Sequence, residues 1–160
     1  MSVPVKEAAA DFLAQKRIAI AGVSRKGGGE HGGNVVYERL KQRGFDVFAV
    51  NPHADEIDGD PCFADIASIP DGVDAVVIAT RPEIAPSVMQ QCIDAGVRRV
   101  WMHRSFGSGS VSDEATALGR SNGITVIDGG CPLMFPPTDD TGHRIMRVML
   151  NLGGKIPKQV

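Results

Sequence analysis

The stretch from Arg17 to Gly44 constrains this chain most. Arg17-Ile18-Ala19-Ile20-Ala21-Gly22 is a short apolar run ending in glycine, and Val23-Ser24-Arg25-Lys26 leads into the glycine-rich segment 27–33. Asn34 to Arg43 then carries helical periodicity up to Gly44. A strand, a glycine-bearing turn and a helix in that order gather free backbone N–H groups and the partial positive charge of a helix N-terminus at one point. That is an arrangement able to hold the diphosphate of a nucleotide.

The remaining chain repeats the alternation. Val5, Ala8, Ala9, Phe12 and Leu13 recur at helical spacing, which predicts a leading helix over 4–15. Asp46 to Val50 reads as the second strand, ended by Asn51-Pro52 because proline cannot continue a ladder. Asp58-Gly59 signals a turn, and Pro61-Cys62-Phe63 a short edge strand. Val73 to Ala79 suits a strand buried on both faces, followed by a helix near 84–95. Arg99 to His103 is a strand, Ser112 caps a helix near 113–121, and Ile124 to Ile127 is the last strand. A final helix near 142–151 places Ile145, Val148, Met149 and Leu152 on one face.

This order predicts an α/β fold: a three-layer, doubly wound, Rossmann-like sheet of about five parallel strands plus the edge strand. A chain of 160 residues that is 42% hydrophobic is expected to form one domain over 1–160. Its net charge of −2 offers no basic surface for nucleic acid. Without a spanning apolar run or a signal-peptide apolar region, the expected location is cytoplasmic, away from membranes. The spacing of Cys62, Cys92 and Cys131 indicates neither a disulfide framework nor a zinc site.

Ligands of doubly wound sheets bind outside the carboxyl ends of the strands, where strand order reverses. Gly22, Val23, Ser24, Arg25, Lys26, Asn51, Pro52, Thr80, Arg81, His103 and Arg104 stand at those ends, with Asp128 to Cys131. A dinucleotide fingerprint fails here, because Ser24 replaces its middle glycine and Val50-Asn51-Pro52 lacks the ribose-binding carboxylate. A Walker loop fails because Gly28-Gly29 stand where Lys and Ser/Thr are needed. The esterase elbow fails at Lys26. What remains is a loop with a hydroxyl and two cations, Arg25 and Lys26. Those cations suit a ligand more anionic than a bare dinucleotide, such as coenzyme A with its 3′-phosphate, or else an ordinary solvated loop tip.

Ile18 to Lys26, Val50-Asn51-Pro52 and Arg81-Pro82-Glu83 together resemble the small stand-alone CoA-binding proteins, relatives of the CoA-binding domain of the succinyl-CoA synthetase alpha subunit. The resemblance covers about residues 8–130. It implies coenzyme A or an acyl-CoA bound across the strand ends. Ser24, Arg25 and Lys26 would then serve the phosphates, and Asn51-Pro52 would lie near the adenosine. Thr80-Arg81 and His103-Arg104 would line the pantetheine path. The glycine-rich insert at 27–33 is longer than the usual turn of this family, and its five glycines predict a loop that is mobile until ligand arrives.

Residues for catalysis are fewer. His31 reads as a surface loop histidine, His53 as solvated and His143 as locally bonded. His103 is the best catalytic histidine by position, though a ligand-orienting or hydrogen-bonded role is the favoured reading. Cys131, in a Gly-Gly-Cys-Pro turn, is either a thiol activated by backbone N–H groups or a buried small residue. The expectation is a CoA-binding protein without catalysis of its own. Two alternatives remain: a nucleotide-dependent oxidoreductase or thiol-transfer enzyme using Cys131, and a subunit presenting CoA to an acyl-CoA ligase.

Overall fold

A computed structural model describes residues 2–25, 32–105, 107 and 109–160. Helix α1 (Val5–Leu13) precedes strand β1 (Arg17–Ala21), helix α2 (Gly33–Gln42) and strand β2 (Asp46–Val50). Strands β3 (Glu56–Ile57) and β4 (Asp60–Phe63) follow, then β5 (Ala75–Ile78), α3 (Ala85–Asp94) and β6 (Arg99–Met102). Helix α4 (Asp113–Ser121), strand β7 (Thr125–Asp128) and helix α5 (Thr141–Leu152) complete the order. The strands form one sheet in the order β3-β4-β2-β1-β5-β6-β7.

Six of these strands are parallel neighbours, one more than the sequence predicts. The extra one contains Pro61-Cys62-Phe63, and it is not the edge. β4 pairs parallel to β2 through Ala49 with Cys62 and Val50 with Phe63. The edge is β3, antiparallel to β4. The Asp58-Gly59 turn joins them, both residues at positive φ (50° and 88°), the conformation of a tight two-residue hairpin. Pro61 is tolerated because the pairing of β4 with β2 begins only at Cys62, so no ladder hydrogen bond is asked of the proline nitrogen.

β1 and β5 occupy the centre, and the apolar runs Ile18 to Ala21 and Ala75 to Ile78 are buried on both faces. On one face α1, α2 and the segment after β7 cover the sheet. Phe12 meets Trp101 edge-on at 5.3 Å, Phe135 lies 5.4 Å from the same ring, and the indole N–H donates to Gly129 O. On the other face α3 and α4 bury Val88, Met89, Cys92 and Ala115 against Val76, Val100 and Val126. Strand order reverses between β1 and β5, so the connections leaving them depart to opposite faces. A crevice opens between them at the carboxyl ends.

Helix α5 lies outside these layers. It packs on the short turn Pro132–Met134, and Leu150 is its one fully buried residue. Ile145, Val148, Met149 and Leu152 do share a face, and that face is turned outward. The chain then returns to its beginning, where Val3 and Val160 exchange two backbone hydrogen bonds of 2.9 Å. Among the described residues, no helix is long and apolar enough to cross a membrane.

Candidate functional site

The crevice at the switch point is a cleft of about 540 Å³. The end of β1 supplies Gly22 and Ser24, the end of β2 supplies Asn51, Pro52 and His53, and the end of β5 supplies Thr80 and Arg81. Helix α3 closes one wall with Ile84, Ser87, Val88 and Gln91. Apolar walls with a few convergent polar groups are the usual make-up of a small-molecule site. No carboxylate lines this cleft among the described residues, and Arg81 stands exposed at its mouth, so its charge favours an anion.

Two glycines allow the approach of strand and helix. Gly22 has φ +106°, and a Cβ there would lie 2.3 Å from the carbonyl oxygen of Ala79. Gly33, the first residue of α2, would place a Cβ 2.8 Å from the oxygen of Gly22. Gly33 thus fills the helix-packing role of the last glycine in a dinucleotide turn, displaced along the chain by the longer loop. The described part of the loop is pinned by two asparagines. Asn34 accepts from Ser24 N–H at 2.9 Å and donates to Ser24 O at 2.8 Å. Asn51 donates to Val23 O at 2.8 Å and accepts from His53 N–H at 2.8 Å.

The N-terminus of α2 points to where an anion is best held. Its N-cap is Gly32 in the left-handed region; among the described residues no side chain caps the helix, and its first turn carries no acid. By contrast α4 is capped by Ser112 and α5 by Asp140. The free N–H groups of α2 therefore keep their capacity for an anion.

The sequence-predicted residues separate into three groups. Gly22, Ser24, Asn51, Pro52, Thr80 and Arg81 meet in the cleft. Val23 is fully buried beneath the loop and Arg25 is exposed beside it; Lys26 and His31 lie outside the described residues, as does most of the glycine run expected to be mobile. His103 and Arg104 stand apart from the cleft lining. His103 is buried with its ring against Gly32, where a Cβ would approach its Cε1 to 2.7 Å, so the imidazole flanks the α2 N-terminus. Arg104 donates from Nη2 to Lys155 O at 2.8 Å and so braces the C-terminal segment.

All three cysteines are free and buried. Cys131 is 2% exposed in the core with Leu133, Trp101 and Phe135, and burial pushes its thiol up to about 12. A hydrogen bond with the backbone at Leu133 opposes that shift without overcoming it. Burial alone also pushes Cys92 up to about 12, and it raises Cys62 as well. A Gly-Gly-Cys-Pro turn activates sulfur only where the sulfur meets the donors and solvent, and here it faces packed side chains.

The wall from α3 was not legible in the sequence. The sequence predicts a helix near 84–95 without saying which of its side chains meet the cleft. Gln91 is recognisable only once its Oε1 is seen accepting from Ile66 N–H at 3.2 Å, across the cleft wall.

A doubly wound parallel sheet with an anion-favouring cleft at its switch point defines a nucleotide-binding α/β protein. Comparison with known proteins narrows that class: the chain belongs to the CoA binding domain family, whose pattern matches residues 16–137. It is 40% identical over 90 residues to the ADP-forming acetate–CoA ligase II of Archaeoglobus fulgidus, covering 55% of this chain and 13% of that enzyme. A hypothetical protein from Pyrococcus horikoshii superimposes with a TM-score of 0.72 at 27% identity, over 80% of this chain and 87% of that one. The apo dinucleotide-forming acetyl-coenzyme A synthetase 1 of Ca. Korarchaeum cryptofilum superimposes with a TM-score of 0.59 at 27% identity. That match covers 70% of this chain and 25% of the synthetase. Family membership and the ligase relatives support coenzyme A as the ligand.

Proposed function

We propose that the protein holds coenzyme A or an acyl-CoA in the switch-point cleft and performs no chemistry on it alone. The cleft carries this reading: it joins a partly apolar chamber, without a carboxylate among the described residues, to the loop leading to a helix N-terminus that no described side chain caps. The diphosphate lies at the loop of Ser24, Arg25 and Lys26 and the N–H groups of α2. The adenine ring lies against Pro52, Ile84 and Val88, with Asn51 and Gln91 at its edges. Thr80-Arg81 border the route of the pantetheine arm, and the His103 ring flanks the α2 N-terminus beside the diphosphate. The buried, protonated thiols of Cys92 and Cys131 favour binding over thiol transfer.

The ligase relatives favour a second, compatible role, in which the bound CoA is presented to a separate acyl-CoA ligase subunit. This chain spans 13% of the length of the first of them, with the remainder of that enzyme outside the match.

Titration calorimetry with CoA, 3′-dephospho-CoA and NAD tests the binding reading. CoA is expected to bind tightest, with a loss of about tenfold or more on removing the 3′-phosphate. NAD binding as tight as CoA overturns the ligand assignment, and indifference to the 3′-phosphate overturns the role of the loop cations. Acyl-CoA hydrolysis or transfer by the isolated protein would overturn the absence of chemistry.

A further inference from the structure

Helix α5 wears its amphipathicity inside out. Its inward side is His143, Met146, Arg147 and Leu150, a mixed row. The outward row Ile145, Val148, Met149 and Leu152 is wholly apolar and 57%, 56%, 56% and 85% exposed. Four of the six exposed large hydrophobic residues among those described sit on this ridge. Scattered exposed apolar residues are ordinary, but a contiguous ridge over two turns of one helix is the mark of a contact surface.

We propose that this ridge pairs with the same ridge of a second copy of the chain, as an antiparallel helix pair about a two-fold axis between Val148 and Met149. Spacing at i, i+3, i+4 and i+7 makes a straight seam of the kind that interlocks with its own copy. In the antiparallel sense Ile145 of each copy meets Leu152 of the other.

Charge selects that sense. Within α5 the cations are already occupied: Arg144 bonds Asp139 at 2.7 Å, and Arg147 lies over the Phe135 ring at 5.3 Å. No charged residue stands on the ridge itself, so nothing on it asks for a partner of opposite charge. The partial positive charge of the helix N-terminus then faces the partial negative charge of the other copy's helix C-terminus. A parallel pair would set like ends together.

Area agrees with a modest but specific dimer. The four side chains leave on the order of 400 Å² uncovered per copy. The pair therefore removes on the order of 800 Å² from them, against about 1,200 Å² at the lower end of stable interfaces. Thr141, Arg144 and Asn151 are exposed along the flanks and supply the remainder. The ridge and α3, which walls the cleft, lie on opposite sides of the sheet, so pairing leaves both clefts open.

Sedimentation velocity from about 1 to 100 µM tests the pairing. A monomer–dimer equilibrium is expected in that range, and Val148→Asp/Leu152→Asp is expected to weaken it by more than tenfold with circular dichroism unchanged. A wild-type monomer at the highest concentration overturns the proposal, including the case in which a different protein covers the ridge. A dimer that the double substitution leaves intact overturns it too. Orientation is read by oxidising a mixture of Ile145→Cys and Leu152→Cys chains, against a background in which Cys62, Cys92 and Cys131 are buried. Mixed disulfides between the two chains are expected. Self-linked Ile145→Cys dimers and self-linked Leu152→Cys dimers instead overturn the antiparallel sense.

Discussion

Helices α3 and α5 carry the same apolar pattern and put it to opposite use. In α3 the positions are Ala85, Val88, Met89 and Cys92, all buried. In α5 they are Ile145, Val148, Met149 and Leu152, all exposed. Periodicity is the same, and connectivity differs. α3 is the crossover between parallel strands β5 and β6, and a short right-handed crossover returns to its sheet only with its stripe pressed on that sheet. α5 follows β7, and among the described residues no later strand draws it back. Its position is set by Leu150, by its cap and by the Pro132–Met134 turn, which together leave the stripe outside. A hydrophobic stripe shows that something will be buried, and topology decides against what.

The sharpest test of this contrast uses one residue type at the same place in both patterns. Met89 is fully buried and packs with Val126 and Gly119. Met89→Ala is expected to cost about 2–5 kcal/mol by urea denaturation, from lost transfer energy and an unfilled cavity. A cost below about 1 kcal/mol would mean that α3 is no more committed to the sheet than α5.

The attachment of α5 comes next in size. Asp140 accepts from His143 N–H at 2.8 Å, meets the His143 ring at 2.8 Å and pairs with Arg39 of α2 at 3.3 Å. Asp140→Ala should cost about 1–2 kcal/mol as cap and tether are lost together. Bonds from the His143 backbone, and then from its ring, hold the Asp140 carboxyl below the ordinary range. A carboxyl depressed in the folded state stabilises fully above its unfolded value near 4, and that stabilisation is lost as pH falls through the folded value. The urea midpoint should therefore drop below about pH 4, with a smaller drop in Asp140→Asn, which keeps an N-cap acceptor. An equal drop in both proteins would remove Asp140 as the source.

How much of this was legible depended on whether the signal was local. Strand β1, Gly22 and helix α2 were, because an apolar run, a glycine and a 3.6-residue period are each written in neighbouring residues. So was the cluster Ser24, Asn51, Thr80 and Arg81, because the strand-end rule converts order along the chain into proximity. Gly33 was hidden by the length of the loop, which breaks the fingerprint spacing while keeping its packing role. β3 was hidden because two residues carry no period, and Cys131 because a turn motif does not say which way its sulfur faces. The direction of α5 was hidden for the reason that separates it from α3.

Packing between helices gives the next smaller effect. Gly119 of α4 lies where a Cβ would come within 2.7 Å of Met89 Sδ and Val126 Cγ2. Gly119→Ala gains about 1 kcal/mol of helix propensity and loses about 1–3 kcal/mol to overpacking, so a net loss near 1 kcal/mol is expected. No equivalent restriction exists on the outer side of α5. A stabilised Gly119→Ala protein would show that the α3 face yields more readily than its burial implies.

The smallest effect is the most informative, because its size should depend on protein concentration. Met149 is 56% exposed in the monomer, so Met149→Ala in dilute solution should change stability by no more than about 0.5 kcal/mol. Where copies associate, the same side chain lies at the two-fold seam, and stability gains a contribution from mass action that the variant partly loses. The difference between wild type and Met149→Ala should therefore widen as concentration rises, while the difference for Met89→Ala shifts in parallel at every concentration. A Met149→Ala difference that is large when dilute would place this face within the monomer's own core. A difference that stays small at every concentration would leave the ridge of α5 without the second copy that its pattern, charge and exposure call for.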